Sequence, residues 1–531
     1  MKFQSFCCLL FLLAILFLSP TDSAEQRNQD FLQCLITINS ERNSSISEVI
    51  FTPDNSSYTN VLQATIQNLR FSSPSTPKPR VIVTPVDASQ IQTVIFCSKK
   101  YGMEIRIRSG GHDFEGLSYV SQVPFVLLDM INLRSVDVDA TRATAWVGAG
   151  ATLGELYYGI SQKSNTLGFG AGPWYSVGIT GFISGGGYGM MRRKYGLAAD
   201  NVIDARMIDV NGKFLDRKSM GEDLFWAIRG GGGSSFGVIL SWKINLVPVP
   251  NLVTVFRVTR TLEQNATNIF HRFQVAAPQF PKDLDIWCYI SSVLSNFSPR
   301  ADKRTVSILF ESLFLGRAST LLQVMQQNFP ELGLVKEDCS EVSWIQSTPF
   351  FSNLSVTTSP EILRNRNALP KSRFKGTSDF VQQPIPINGL NGLWDILYKV
   401  APTSATLQIT PWGGRMYEIS ESAIPFPHRA GNLYMINMGV TLDTDVTARL
   451  QWIRSLYQYF TPYVSKSPRG AYVNYNDLDF GVNNQRGKTT YAVASRWGKK
   501  YLKNNFDRLI KVKSKVDPGN FFKHEQSIPP L

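Results

Sequence analysis

The chain has 531 residues, of which 43% are hydrophobic and 18% charged. This composition indicates a globular protein with enough chain for two or three domains, and it excludes an intrinsically disordered chain. The formal net charge is +13, but the basic residues are spread out, with mild clusters at 192–194 and 499–515. Because nucleic-acid binders concentrate their charge in a patch, we expect no nucleic-acid partner. We interpret the second cluster as an amphipathic helix with a solvated basic face.

The N-terminal segment has the pattern of a secretory signal. Residues 7–18 form an apolar run that follows Lys2, and small residues follow at Thr21, Ser23 and Ala24. The run is too short to span a bilayer and its flanks are typical of a cleaved signal peptide, which we place at residues 1–24. An uncleaved membrane anchor is the alternative. We therefore expect a protein of the secretory pathway without a membrane anchor, located outside the cell or in a vacuole. We also expect it to be a monomer.

Cysteines, histidines and sequons agree with such a compartment. Four cysteines follow residue 24, and an oxidising environment favours a disulfide between some of them. Neither these cysteines nor the four histidines have the spacing of metal ligands, so we predict no metal site. Glycosylation is predicted in surface loops at Asn43, Asn55, Asn265 and Asn353, each of which begins an N-x-S/T sequon.

Short β-branched runs alternate with helical stretches from residue 80 onward. Strands are predicted at 80–85, 125–130 and 143–150, residues 104–111 alternate charged and apolar residues until two glycines break the pattern, and helical apolar spacing predicts a helix over 88–101. This pattern is typical of an α+β or α/β layout.

A Val-Pro-Val-Pro run at 247–250 predicts a domain boundary. Beyond it, residues 251–470 alternate strands such as 254–260 and 307–316 with amphipathic helices, which indicates an antiparallel sheet covered by helices.

Three glycine clusters lie at 108–112, 178–189 and 229–237. Glycine permits positive φ and lets several amide groups point at one anion. None of the clusters is a P-loop, and 148–154 misses the dinucleotide fingerprint because Leu153 holds its third glycine position. Each cluster alone is typical of a tight turn, whereas the three together favour a pyrophosphate site.

The motifs around these clusters resemble the plant berberine-bridge-enzyme-like flavoproteins. The motifs are RSGGHDFEGLSY, SGGGYGMMRRKYGLAADNV, MGEDLFWAIRGGGGSSFGV, PFPHRAGN, YVNYNDLDFG and VDPGNFFKHEQSIPPL. The resemblance implies an α+β protein with a two-part FAD-binding domain of the PCMH type, formed by residues 25–250 (core about 77–250) and 471–531. It also implies an antiparallel-sheet substrate domain at 251–470 and a disulfide between Cys34 and Cys97.

The resemblance further implies FAD as the cofactor, bound covalently. In the family the first attachment is through the histidine that matches His112, and an imidazole nitrogen is a competent nucleophile near neutral pH. The second attachment uses a cysteine whose position is occupied here by Trp174, so we expect one covalent bond only. The predicted cofactor-binding residues are Arg108, Ser109, Gly110, Gly111, His112, Val177, Gly178, Thr180, Gly181, Gly185, Gly186 and Gly187.

The catalytic residues implied by the resemblance are partly altered. The family's tyrosine base matches Tyr475, and the tyrosine that pairs with the base-activating lysine of alcohol-oxidising relatives is kept as Tyr188. The lysine that activates the base in alcohol-oxidising relatives matches Met435, and a nearby glutamine matches Asn437. We take Arg415 as a candidate replacement for the missing cation. A small residue at Val177 favours access of O2.

Three classes of function follow. The first is an oxidase of plant specialised metabolism that acts on a phenolic, alkaloid or alcohol metabolite with O2 as acceptor. The second is a non-redox cyclase, because some relatives from mulberry-type plants catalyse intermolecular Diels–Alder reactions with FAD kept as a structural cofactor. The third is a catalytically silent flavoprotein.

Overall fold

A computed structural model describes residues 20–41, 46–485 and 487–531, without the side chains of 20–24 and 41. The strands are β1 (Ile50–Phe51), β2 (Val81–Val83), β3 (Glu104–Arg108), β4 (Phe125–Asp129), β5 (Val136–Asp139), β6 (Thr144–Gly148), β7 (Leu167–Gly168), β8 (Val202–Ile208), β9 (Phe214–Leu215), β10 (Val238–Asn245), β11 (Val247–Pro248), β12 (Val253–Thr261), β13 (Leu284–Leu294), β14 (Arg304–Phe314), β15 (Cys339–Val342), β16 (Phe374–Val381), β17 (Ala405–Pro411) and β18 (Tyr434–Thr441). The helices are α1 (Pro20–Glu41), α2 (Tyr58–Gln63), α3 (Ala88–Tyr101), α4 (Leu153–Ser161), α5 (Ile179–Ser184), α6 (Arg192–Tyr195), α7 (Arg217–Ile228), α8 (Ala266–Ala276), α9 (Ala318–Asn328), α10 (Trp344–Phe350), α11 (Ile387–Leu397), α12 (Arg415–Glu418), α13 (Val446–Tyr459), α14 (Tyr491–Leu502) and α15 (Asn505–Val516).

Two sheets form the N-terminal half of the molecule. The first has the order β1-β2-β4-β3, in which β2, β4 and β3 run parallel. Helix α3 connects β2 to β3, and it begins at the capping side chain of Asp87 and ends at Gly102, whose φ is 67°. The second sheet has the order β5-β6-β10-β8-β9 and is antiparallel.

The C-terminal residues return to this half of the molecule. Helix α15 packs on α7. The buried ammonium of Lys513 donates to the carbonyl of Ser235, at 2.6 Å, and the amide of Ile528 donates to the Ser235 hydroxyl, at 3.2 Å. The C-terminal segment therefore packs against residues that lie about 280 positions earlier in the sequence.

A seven-stranded antiparallel sheet forms the other half, in the order β15-β12-β14-β13-β17-β18-β16. Helices α8, α11 and α13 pack on it. Because polar residues of several strands point to the other face, that face can line a site. The predicted α+β class, with an antiparallel sheet covered by helices, is confirmed.

The two basic clusters differ from the prediction. Residues 499–515 do not form one helix, because the chain breaks between α14 and α15 at Lys503, whose φ is 44°. Lys513 is not on a solvated face but is buried against Asp517. Arg192 and Arg193 of the first cluster are also buried.

The Cys34–Cys97 disulfide is present, and Cys288 and Cys339 are unpaired. Among the described residues, no three His, Cys, Asp or Glu side chains are grouped to hold a metal ion. No helix in the described ranges has the length and apolar content to cross a membrane. Residues 1–19 of the predicted signal peptide and the sequon at Asn43 lie outside those ranges. The other three predicted glycosylation sites have exposed side chains, at Asn55, Asn265 and Asn353.

Candidate active site

A cavity of about 830 Å³ lies between the glycine-rich turns and the open face of the seven-stranded sheet. The turns contribute Ser109, Gly110, Gly111, His112, Val177, Gly178, Thr180 and Gly181. The sheet contributes polar and aromatic side chains, among them Thr259, Trp287, Tyr289, Glu311, Gln408 and Asn437. The cavity therefore contacts both halves of the molecule.

Two of the glycine clusters meet back to back at this cavity. A Cβ atom on Gly110 would lie 2.2 Å from the amide nitrogen of Gly178, and one on Gly178 would lie 2.2 Å from the amide of Gly110. Gly111 has a φ of 72°, and a Cβ there would lie 1.9 Å from the carbonyl oxygen of Thr65. Only glycine allows these backbones to approach so closely, and this approach brings their amides to one wall.

His112 lies on that wall directly after the turn. Its Nε2 forms a hydrogen bond with the hydroxyl of Ser176, at 2.9 Å. Burial lowers the pKa of His112 to about 3. The imidazole is therefore neutral at physiological pH, which is the form that has a nucleophilic nitrogen.

The third glycine cluster and the C-terminal segment complete the wall. Gly232, Gly233 and Ser234 line the cavity beside His524 and Gln526. The Nε2 of His524 forms a hydrogen bond with the carbonyl of Gly233, at 3.2 Å. Sequence reasoning did not assign these five residues individually, although the glycine cluster and the C-terminal motif that contain them were both recognised.

Four predicted cofactor-binding residues do not line the cavity. The guanidinium of Arg108 is buried in an ion pair with Asp129, at 2.6 Å, and donates to the carbonyl of Leu62. Gly185, Gly186 and Gly187 lie behind the cavity wall, where their missing Cβ atoms make room for neighbouring side chains. Those neighbours are Asn474 at Gly185, Leu197 and Phe426 at Gly186, and Phe182 at Gly187.

A hydrogen-bonded pair of tyrosines faces the cavity. The hydroxyls of Tyr188 and Tyr475 bond to each other, and Nε2 of Gln408 donates to the Tyr188 hydroxyl at 3.1 Å. The ring of Phe114 stacks on Tyr475, with centroids 4.8 Å apart. The cross-strand register places Asn437 opposite Gln408, so both amides lie on the same face. The structure thus brings Tyr475, Tyr188 and Asn437 to one cavity, and it adds Gln408, which sequence reasoning missed.

Burial is the main influence on the protonation of this pair. Burial raises the pKa of Tyr188 to about 12, an effect that its hydrogen bond to Tyr475 partly opposes. Burial, and then the neighbouring Tyr188, raise the pKa of Tyr475 well above its usual value. Both phenols therefore keep their protons at neutral pH.

Arg415 does not reach the site. It begins the short helix α12, where its side chain is 47% exposed and pairs with Glu418 at 3.2 Å. Its proposed role as the replacement cation is wrong, because the turn before α12 directs it to the surface. Met435, at the position of the family's lysine, is fully buried among apolar side chains.

The two aromatic residues before the second glycine turn have different surroundings. Trp174 lines the cavity, whereas Tyr175 is fully buried in the hydrophobic core. One ring, and not both, therefore occupies the place where the family's cysteine would stand.

Comparisons with known proteins identify the family to which this architecture belongs. Residues 79–217 match a family model described as "FAD binding domain", and residues 471–529 match one described as "Berberine and berberine like". The chain is 50% identical to berberine bridge enzyme-like 8 of Arabidopsis thaliana, over 99% of this chain and 100% of that protein. It belongs to the berberine bridge enzyme-like family.

Other berberine bridge enzyme-like proteins agree. The chain is 51% identical to tetrahydroberberine oxidase of Berberis wilsoniae, over 97% of this chain and 96% of that one. The solved structure of berberine bridge enzyme-like 28 from Arabidopsis thaliana superposes with a TM-score of 0.87, at 46% identity, covering 95% of this chain and 100% of that chain. The protein is thus an FAD-binding member of an oxidoreductase family with the PCMH-type fold. The close glycine backbones at Gly110 and Gly178 fit a bound dinucleotide, since a Cβ on either would close that wall.

Proposed function

We propose that the protein is an oxidase that removes two electrons and two protons, as a hydride and a proton, from a phenolic, alkaloid or alcohol metabolite of plants. The Tyr188–Tyr475 pair carries this proposal, because it puts a proton-relaying hydroxyl at the junction of the cofactor wall and the sheet. When bound, FAD supplies the two-electron acceptor, and O2 then takes the electrons as H2O2. Val177 on the cavity wall supports O2 access, because its side chain is small.

In this oxidation Tyr475 takes or relays the proton that leaves the substrate. Its raised pKa makes the phenolate scarce at neutral pH but a strong base once formed. The reaction rate should therefore rise with pH towards the pKa of the pair. Gln408 and Asn437, which face the same space, hold polar groups of the substrate.

We infer that FAD is attached through His112 alone. A neutral, half-buried imidazole supports the first bond, and Trp174 at the other position excludes a thioether. Mass spectrometry of peptides from the acid-precipitated protein should find flavin on the peptide that contains His112 and on no cysteine peptide. Colour that leaves the chain on precipitation would contradict the covalent bond.

A non-redox cyclase is the second candidate. Two observations favour it: Met435 places no cation on its strand, and the high pKa of Tyr475 keeps its hydroxyl protonated as a hydrogen-bond donor. A cycloaddition needs no proton transfer and gains chiefly from holding its two partners in a reactive orientation.

Anaerobic mixing with a panel of plant phenols, amines and alcohols separates the candidates. An oxidase bleaches the flavin band once per flavin and then stops, whereas a cyclase forms product without bleaching.

The variant Tyr475→Phe separates them again. It should cut the rate of bleaching by about 10²–10⁴-fold if Tyr475 is the base. A cyclase should instead lose about 1–3 kcal/mol, the worth of one hydrogen bond. Tyr119→Phe is the matched control, because the Tyr119 hydroxyl is buried and lies outside the cavity. Full activity of Tyr475→Phe in both assays would remove Tyr475 from the mechanism.

A further inference from the structure

Two buried arginines lie directly behind the tyrosine pair. Arg192 and Arg193 follow the second glycine turn, and both are at most 1% exposed. The Cζ atom of Arg192 lies 5.9 Å from the centroid of the Tyr188 ring, 5.4 Å from that of Trp287 and 5.3 Å from that of Trp412. Arg192 is thus enclosed by aromatic rings, one of which belongs to the tyrosine pair.

The arginines outnumber their acidic partners. Arg192 pairs with Asp285 at 2.6 Å and donates to the carbonyls of Gly189 and Pro411. Arg193 donates only to backbone carbonyls, among them that of Leu284 at 3.0 Å. Within the described residues, Asp285 is the one carboxylate that forms an ion pair with either guanidinium. The cluster therefore carries one net positive charge in an apolar environment, where charges act over several ångströms.

The charge of Arg192 lies at the end of the strand pair β17–β18 that contains Met435, whose side chain is uncharged. The cross-strand register sets Thr410 opposite Met435, and Pro411 opposite Tyr434. Arg192 bonds to the carbonyl of Pro411, and the Thr410 hydroxyl accepts from Gln408, at 3.3 Å. The positive charge near this strand end thus belongs to Arg192, which follows the second glycine turn, and not to a residue of the sheet.

We propose that Arg192 is a positioning residue whose charge stabilises the phenolate of the Tyr188–Tyr475 pair. No bond forms or breaks at Arg192; it acts through Tyr188, to which Tyr475 is hydrogen-bonded. The charge of Arg192 lowers the pKa of Tyr188, against the larger effect of burial. The inference rests on the proposed function only for the use that Tyr475 makes of its proton.

The other groups around the pair leave Arg192 as the dominant charge. Tyr472 and Tyr289 lie close enough to the pair to interact with it electrostatically. Both are neutral at physiological pH, because burial raises the pKa of each. Behind Tyr289, Glu311 pairs with Arg257 at 2.6 Å.

Titration of the tyrosines tests this without any substrate. The FAD-loaded protein is produced with trifluorotyrosine, which lowers the pKa of every phenol, and the ¹⁹F resonance that disappears in Tyr188→Phe is followed against pH, because Tyr188 is the ring 5.9 Å from the Arg192 guanidinium. Arg192→Met should raise the pKa of that resonance by about 1–2 units, the effect of a unit charge some 6 Å away at an effective dielectric constant near 20. Asp285→Asn should lower it, because the arginine charge then lacks its counter-ion.

Shifts of the pKa in opposite directions in the two single variants distinguish an effect of charge from a disruption of the structure. The double variant Arg192→Met/Asp285→Asn removes the ion pair as a unit and keeps the net charge of the cluster, because Arg193 remains, so the pKa of the tyrosine resonance in this variant should fall between those of the two single variants. Shifts of one sign in both single variants, or superimposable curves in all of them, would overturn the proposal. A failure of the oxidase proposal would appear in the bleaching assay and would leave these titration curves unchanged.

Discussion

Trp174 is the residue on which the proposed single covalent attachment of FAD depends. Its ring lines the cavity, and its carbonyl accepts from the amide of Val177, at 3.1 Å, which fixes the tight turn before Gly178. The next side chain, Tyr175, is fully buried and anchors that turn in the core. A residue placed at 174 is therefore held by a backbone that aromatic packing has shaped.

Trp174→Cys should not form a second covalent bond, because the turn that the buried Tyr175 anchors is not shaped to aim a sulfur at the flavin. Peptide mass spectrometry should find flavin only with His112, and thiol titration should find one more reactive cysteine than in the wild type. The unchanged chain, carried through the same digestion, is the control. Flavin recovered on the peptide 171–178 of the variant would show that the local backbone already has the relatives' geometry.

Single residues also mark where sequence reasoning stops. His112, Tyr188 and Tyr475 could be assigned because they stand inside long motifs. The surroundings of Arg415 and Arg192 could not be predicted, because the exposure of a side chain depends on partners that are distant in sequence. The partners that bury Arg192 are residues 285 and 411. Two adjacent arginines therefore had the pattern of surface charge.

At the scale of elements, local signals sufficed where one segment determines its own structure. Helix α3 has the predicted bounds because Asp87 and Gly102 cap it. The break at Lys503 between α14 and α15 left no such signal, since neither glycine nor proline marks it. Strand order was also beyond the sequence, because pairing such as β17 with β18 joins segments whose patterns are interchangeable.

The glycine turns allow a prediction that separates packing from cofactor contact. Gly178→Ala should destabilise the protein and lower its FAD content, because the new Cβ would lie 2.2 Å from the backbone of Gly110. Gly181→Ala is the matched control: this glycine also lines the cavity, but a Cβ there meets no protein atom within 4 Å. Thermal unfolding and the flavin-to-protein absorbance ratio measure the two effects.

Equal melting temperatures for the two glycine variants would refute the close-packing argument. A loss of flavin in Gly181→Ala without a loss of stability would instead locate the cofactor against that glycine.

At the scale of the molecule, one buried cluster of charges joins the sheet to the C-terminal segment that carries Tyr475. Lys375 on β16 contacts Glu115 and bonds to Asp477 at 2.8 Å, and Arg454 bonds to Asp477 at 2.7 Å. Breaking a buried pair costs several kcal/mol, because the remaining charge loses its partner. The position of Tyr475 at the cavity therefore depends on a cluster whose contacts span up to 260 residues of sequence, which no local pattern encodes.

Buried histidines give the whole molecule a pH-dependent stability. His428 stacks on Phe380, with centroids 4.1 Å apart, and its Nε2 forms a hydrogen bond with the carbonyl of Tyr501. Burial lowers the pKa of His428 to about 3 and that of His524 to about 4. The unfolded chain binds a proton at each near pH 6.5, whereas the native chain does not. The free energy of unfolding that these two histidines contribute is therefore fully present above pH 6.5, and it declines as the pH falls below that value.

Acidification from pH 7 to pH 5 should cost about 2 kcal/mol at His428, because the unfolded imidazole becomes protonated over that interval and the native one stays neutral. His428→Gln removes this term, so its melting temperature should start lower at pH 7 but drop less between pH 7 and pH 5 than that of the wild type. His271→Gln, on the half-exposed face of α8, is the control and should keep the wild-type drop. Carboxylates that titrate in the same interval are common to all three proteins, so the difference isolates His428. An equal drop in His428→Gln and wild type would mean that the native state also protonates this imidazole, and that the stack on Phe380 opens to water before the protein unfolds.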